Sequence, residues 1–124
     1  MLQKKELRAG TPPAEVTMLV TQTAGGVIVQ LLGGDKPHVG ATVITHPRPS
    51  LAGGGKTSCN SIVIPELGHK EDELAKPLSE KIAVALNCTV VMVAGIHVDN
   101  AGSEEIQQIG QICHELVARF LARP

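Results

Sequence analysis

An α+β domain, with a mixed and largely antiparallel sheet and two helices packed against it, is the fold this sequence predicts. Three observations lead there. Four short strand-like runs follow one another between Gly/Pro-rich turns. Two later segments carry apolar residues at helical spacing. Between those two, residues 89–98 make the strongest apolar, β-branched run in the chain. The order is ββββαβα without repeats, which implies a two- or three-layer sandwich.

Residues 1–13 read as a loosely held segment ahead of a single domain at 14–124. Lys4, Lys5, Glu6 and Arg8 are solvated, and Thr11-Pro12-Pro13 ends any helix there. From Ala14 the chain alternates. Val16, Met18 and Val20 face one way, while Glu15, Thr17 and Thr21 face the other. Ala24-Gly25-Gly26 marks a turn, and 27–32 is the second strand of a hairpin. A turn-rich loop, 33–40, leads to a third strand at 41–46. A second loop with three consecutive glycines leads to a fourth at 57–64, stopped by Pro65. Hairpin connections predict antiparallel pairing throughout these four strands.

The first helix starts near Glu73, or is kinked at Pro77, and ends at Asn87. Acids at 71–73 suit its N-terminal dipole, and Leu74, Leu78, Ile82, Ala85 and Leu86 form its apolar stripe. Residues 89–98 then read as a strand buried on both faces, at the centre of the sheet. The last helix spans about 103–121, with Ile106, Ile109, Cys113, Leu116, Val117 and Phe120 on one face.

Composition narrows function. A length of 124 residues, 43% apolar and 19% charged, fits one soluble domain with one core. A net charge of -1 without a basic cluster argues against nucleic-acid binding. Phe120 is the sole aromatic among Phe, Tyr and Trp, so base stacking has no platform. Cys59, Cys88 and Cys113 lack metal-ligand spacing and read as reduced thiols of a cytoplasmic protein. No apolar run is long enough to span a membrane.

The residues with chemistry cluster at predicted element ends. Gly95, His97 and Asp99 stand where the central strand gives way to a helix, a common place for ligands. His38 sits in a loop bracketed by Gly33-Gly34 and Gly40, where glycine amides can turn toward an anion. His69-Lys70 precedes the first helix. His38, His69 and His97 are therefore metal-ligand candidates, although neither HExxH nor a local Cys/His cluster is present. His46 follows a strand, and His114 reads as a solvent-edge helical residue. Gly53-Gly54-Gly55-Lys56-Thr57 fails as a phosphate-binding loop: Ser50 stands where the motif needs its first glycine, and a strand follows in place of a helix.

Together, Gly33-Gly34-x-x-Pro37-His38-Val39-Gly40, Gly68-His69-Lys70-x-Asp72 and Ala94-Gly95-Ile96-His97-Val98 resemble one small family. It is the D subunit accompanying UbiD-type gallate and hydroxyarylic acid decarboxylases, an LpdD-like prenylated-flavin chaperone. The likeness runs from about residue 17 to 121, and the first and third strings are specific in combination. Pro77 departs from the pattern, in a place where a helix former is expected. The resemblance implies a non-catalytic role: binding prenylated FMN (or FMN) and supporting its delivery to, or maturation in, the large decarboxylase subunit. It implies binding roles for His38, His69, Lys70 and His97.

Ligand chemistry extends that set. A phosphate near dianionic needs amides or cations, for which Lys36, Lys70, Gly33, Gly34 and Gly40 are candidates, with Asp99 beside His97. Ring edges can hydrogen-bond imidazoles. Ring faces need Val39, Ile96, Val98 or a neighbouring subunit's aliphatic surface. A homodimer is expected, because an interface buries a wide flat ligand more readily than so small a domain. Two other readings stand beside this one. One is a small metal-dependent enzyme with the three histidines as ligands and Asp99 or Asp72 as base. The other is a ligand-free assembly partner of the decarboxylase.

Overall fold

A computed structural model of the chain describes residues 2–66 and 71–123, and of Asp72 the backbone alone. Its elements are β1 (Gln3–Ala9), β2 (Val16–Gln22), β3 (Gly26–Gly34), β4 (Ala41–Pro49), β5 (Thr57–Pro65), α1 (Asp72–Leu86), β6 (Thr89–His97) and α2 (Ser103–Ala122). The six strands form one sheet in the order β1-β2-β3-β6-β4-β5. It is antiparallel except where β3 runs parallel to β6. The fold is α+β, with the expected element order plus one strand at its front.

That added strand is β1, inside the segment read above as loosely held. Nothing in Gln3–Ala9 has strong strand propensity. The strand exists through its partners, pairing with β2 from Gln3↔Gln22 to Ala9↔Val16. Lys5 lies over the Phe120 ring at 5.7 Å and donates to the Arg123 carbonyl. Arg119 Nη1 donates to the Arg8 carbonyl at 3.0 Å. Lys5 thus ties β1 to α2, and Arg119 ties α2 back to β1.

Alternation decides what each strand buries. Val16, Met18 and Val20, then Val27, Val29 and Leu31, then Val90, Met92 and Ala94 point into one core. Both helices cover that same face. α1 contributes Leu78 and Ile82; α2 contributes Ile109, Cys113, Leu116, Val117 and Phe120. The domain therefore has two layers, and the other face of the sheet has no helix. Ile106 departs from its expected stripe and is 62% exposed, because residues 103–108 of α2 precede the point where the helix meets the core.

Pro77 lies inside α1, which passes through it without ending. The missing N–H removes one helical hydrogen bond, and packing of Leu78 and Ser79 holds the turn. Asn87 then closes the helix in the left-handed region at φ 50. Strand order also departs from simple hairpins. β2 and β3 form the expected hairpin, with Thr23 Oγ1 accepting from the Gly25 and Gly26 amides. β3 and β4 do not pair, because β6 lies between them. The loop joining β3 to β4 has to cross the end of β6, and this crossing builds the site.

Candidate functional site

Residues 35–40 fold across the C-terminal end of β6 and are tied to it by backbone hydrogen bonds. The amides of Asp35 and Lys36 donate to the His97 carbonyl at 2.7 and 3.3 Å. His38 N donates to Gly95 O at 3.3 Å and Gly40 N to Ala94 O at 3.0 Å. Gly34 N donates to Glu15 O at 3.0 Å. These donors are committed to the chain's own carbonyls, so the glycines serve chiefly by allowing close approach. Gly34 has φ +78, and a Cβ there would stand 2.1 Å from the His97 carbonyl oxygen.

The crossing brings two of the three singled-out histidines together. The His38 and His97 rings are 6.4 Å apart, edge to face at 73°. His38 Nδ1 lies 2.9 Å from the Lys36 carbonyl. A carbonyl only accepts, so this nitrogen carries a proton. His38 Nε2 faces Glu71 Oε1 at 2.7 Å, in a pair whose side chains are 21% and 11% exposed. Glu71 was read from sequence only as a helix-dipole acid; Gly40 leaves space for it, since a Cβ there would meet the Glu71 carboxyl at 2.7 Å. Its signal was position, immediately after His69-Lys70. His69 and Lys70 lie outside the described residues.

His97 Nε2 lies 3.0 Å from Asp99 Oδ1, and Lys36 Nζ lies 3.2 Å from the same oxygen. Asp35 Oδ2 accepts from the Asp99 amide at 3.0 Å, fixing the turn after β6. Hydrogen bonds from Lys36 and then from His97 hold the Asp99 carboxyl below the usual carboxylate range. Lys36, His97 and Asp99 thus form one solvent-facing cluster beside the less exposed His38–Glu71 pair. Among the described residues, no three His, Cys, Asp or Glu side chains are placed to hold a metal ion. His46 is distant, near the start of β6, where Nδ1 lies 3.3 Å from Thr89 Oγ1. The triple-glycine loop and Lys56 are exposed in the β4–β5 hairpin connection, at the opposite end of β4 from Gly40.

Next to His38 the uncovered sheet face has an apolar trough of about 390 Å³. Gln30, Leu32 and Val93 make its floor; Pro37, His38 and Val39 make its wall. A second hollow of about 320 Å³ shares Leu32 and Pro37 with it and continues toward Pro12, Glu15 and Thr17. Of the aliphatic residues expected to pack a ring, Val39 lines this trough. Ile96 and Val98 turn into the core instead, because they alternate away from His97. Leu32 and Val93 were not singled out in advance. Only the pairing of β3 with β6 sets them side by side, in the registers Gln30↔Val93 and Leu32↔Gly95.

A flat ring system fits such a place. Its volume lies in the range of small-molecule sites, and Leu32 and Val93 give its floor aliphatic surface beside the polar Gln30. Gln30 can meet the polar edge of a ring, and Lys36 is a cation near the rim.

The chain has the fold of a protein in a solved structure described as "Crystal Structure of a Novel Chaperone Complex for Yeast 20S Proteasome Assembly". The TM-score is 0.59 at 13% identity, over 97% of this chain and 98% of that one. No curated protein matches the chain significantly. The prenylated flavin chaperone LpdD-like domain matches residues 10–123. That match spans the core, the crossing loop and both histidine strands, and the chain belongs to the prenylated flavin chaperone LpdD-like family.

Proposed function

We propose that this chaperone domain holds the ring system of prenylated FMN in the trough beside His38, for a UbiD-type decarboxylase whose large subunit is its partner. The family's role is accessory, so the chain's residues bind and shield and do not turn over substrate. The bound cofactor supplies its chemistry in the decarboxylase. Here Leu32 and Val93 would support the ring face and exclude water from it. His38, oriented by the Lys36 carbonyl and Glu71, would pack its ring against the ligand, and Gln30 would hydrogen-bond a ring edge. Lys36 and His97 would face the polar tail, with Lys70 a further cation candidate. Gly33, Gly34 and Gly40 enter as the backbone that lets the loop lie this close. Three free thiols accord with a reducing, cytoplasmic setting, and a homodimer remains the proposed assembly.

One observation carries this reading: an apolar trough, poor in charge, adjoins an imidazole whose orientation is fixed from both ring nitrogens. Titration with prenylated FMN tests it through the flavin's absorbance. A saturable spectral change is expected, weakened about tenfold or more by His38→Ala and by Val93→Glu, which places a charge on the floor. Absence of any change with ligand at roughly 50 µM, a concentration at which even weak specific binding registers, would sink the proposal. Wild-type binding matched by both variants would move the ligand elsewhere on the domain. Co-purification with the large subunit, unchanged in both variants, would separate docking from cofactor binding.

A further inference from the structure

We infer that the uncovered sheet face is where two copies of this chain pair, face to face, closing the His38 trough on its open side. The closing of the trough rests on the flavin reading above; the pairing itself does not.

The sequence pattern of β6 and β3 is written for burial on two sides. A sheet with one wet face normally alternates apolar with polar residues. Here five outward positions of the inner strands, Ile28, Leu32, Val91, Val93 and Ile44, are apolar, beside the uncharged polar residues Gln30, Thr42 and Thr89. Within one chain those positions have no covering layer, since both helices lie opposite. Ile28 is 46% exposed and Ile62 on β5 is 56% exposed.

Charge is arranged as a rim around that surface. The outward row of β1 is Lys4, Glu6 and Arg8, and Arg8 pairs with Glu6 at 2.9 Å. Arg48 marks the far end of β4, bonded to Asn60 at 2.9 Å. Asp35, Lys36 and Asp99 mark the near end. Between these margins the outward residues of β2, β3, β6, β4 and β5 carry no Asp, Glu, Lys or Arg until Arg48. An apolar centre with a charged border is the anatomy of a protein interface.

Area selects the occupant. Five neighbouring strands at about 4.8 Å spacing, β2 about 23 Å long and the other four about 30 Å, present roughly 700 Å². A standard interface takes about 800 Å² from each partner. A second copy offers a surface of the same size, equally free of charge, without desolvating unpaired ions. The trough floor of Gln30, Leu32 and Val93 belongs to this face. The second copy would therefore supply the ceiling that a ring in the trough otherwise lacks.

Sedimentation velocity of the full chain without ligand is the test, beside flavin titration of the same samples. The wild type should sediment at twice the chain mass. Ile28→Lys and Ile44→Asp should each shift it to a monomer with unchanged circular dichroism. Ile106→Asp, exposed on the helical side, should leave the dimer intact. A monomeric wild type up to roughly 100 µM, or a dimer that survives both face variants, would overturn the pairing. In the monomeric variants flavin affinity should fall at least about tenfold. Unchanged affinity there would overturn the closing of the trough. A dimer that binds no flavin would refute the cofactor reading and leave the interface standing.

Discussion

The carbonyl oxygen of His38 lies 1.5 Å from where a Cβ on Gly95 would stand. The loop that carries His38 therefore rests directly on the backbone of β6, and no side chain can fit between them. Gly95→Ala should push residues 35–40 off the strand and break the His38–Gly95 hydrogen bond. The expected cost is about 3 kcal/mol of stability or more, read by urea unfolding. Displacement of the loop should also abolish any spectral response to prenylated FMN, as the trough wall moves with it.

Among the described residues, His38 and Glu71 form the least exposed polar side-chain pair around the site, 2.7 Å apart. Removing one partner leaves the other poorly solvated. Glu71→Ala should cost about 1–3 kcal/mol, and His38→Ala a similar amount. The double variant should cost less than the sum, with a coupling of about 1 kcal/mol in a double-mutant cycle. Additive effects would show that the pair does not form in solution.

Asp99 is held low by Lys36 and His97, and its side chain is solvent-facing. A carboxyl whose folded pKa lies below its unfolded value stabilises the fold at pH above the unfolded value, 3.8. That stabilisation is lost as pH falls through the folded value. Carbon-13 NMR of the carboxyl should show titration below the unfolded range. Lys36→Met should move it upward, as should high salt, since exposed charges are screened.

Burial pushes the Cys113 thiol up to about 12, and Cys59 and Cys88 are also raised, Cys59 by burial and then by Glu80. Thiolate is the nucleophile, so Cys113 should resist alkylation at pH 8 until the chain unfolds. Peptide mass mapping of iodoacetamide-treated native and urea-unfolded protein checks this. Rapid native labelling of Cys113 would show that the α2 core opens locally.

Local patterns in the sequence determined the helices, five of the six strands and the placement of β6 at the sheet's centre. They did so because the periods of 2 and 3.6 depend on near neighbours. The His38 loop and the His97 strand were legible for the same reason: turn glycines and an apolar run announce themselves within a few residues. Tertiary structure alone decided that β6 enters between β3 and β4, which no local pattern encodes. That insertion sets Leu32 beside Gly95, draws His38 to within 6.4 Å of His97 and brings Glu71 to the imidazole. Tertiary structure alone also made a strand of Gln3–Ala9, whose stability comes from pairing with β2 and packing on α2. It also put both helices on one side, leaving outward Ile28, Val91 and Ile44 without a covering layer. Burial on two faces was written into those residues, and a single chain has layers enough for only one.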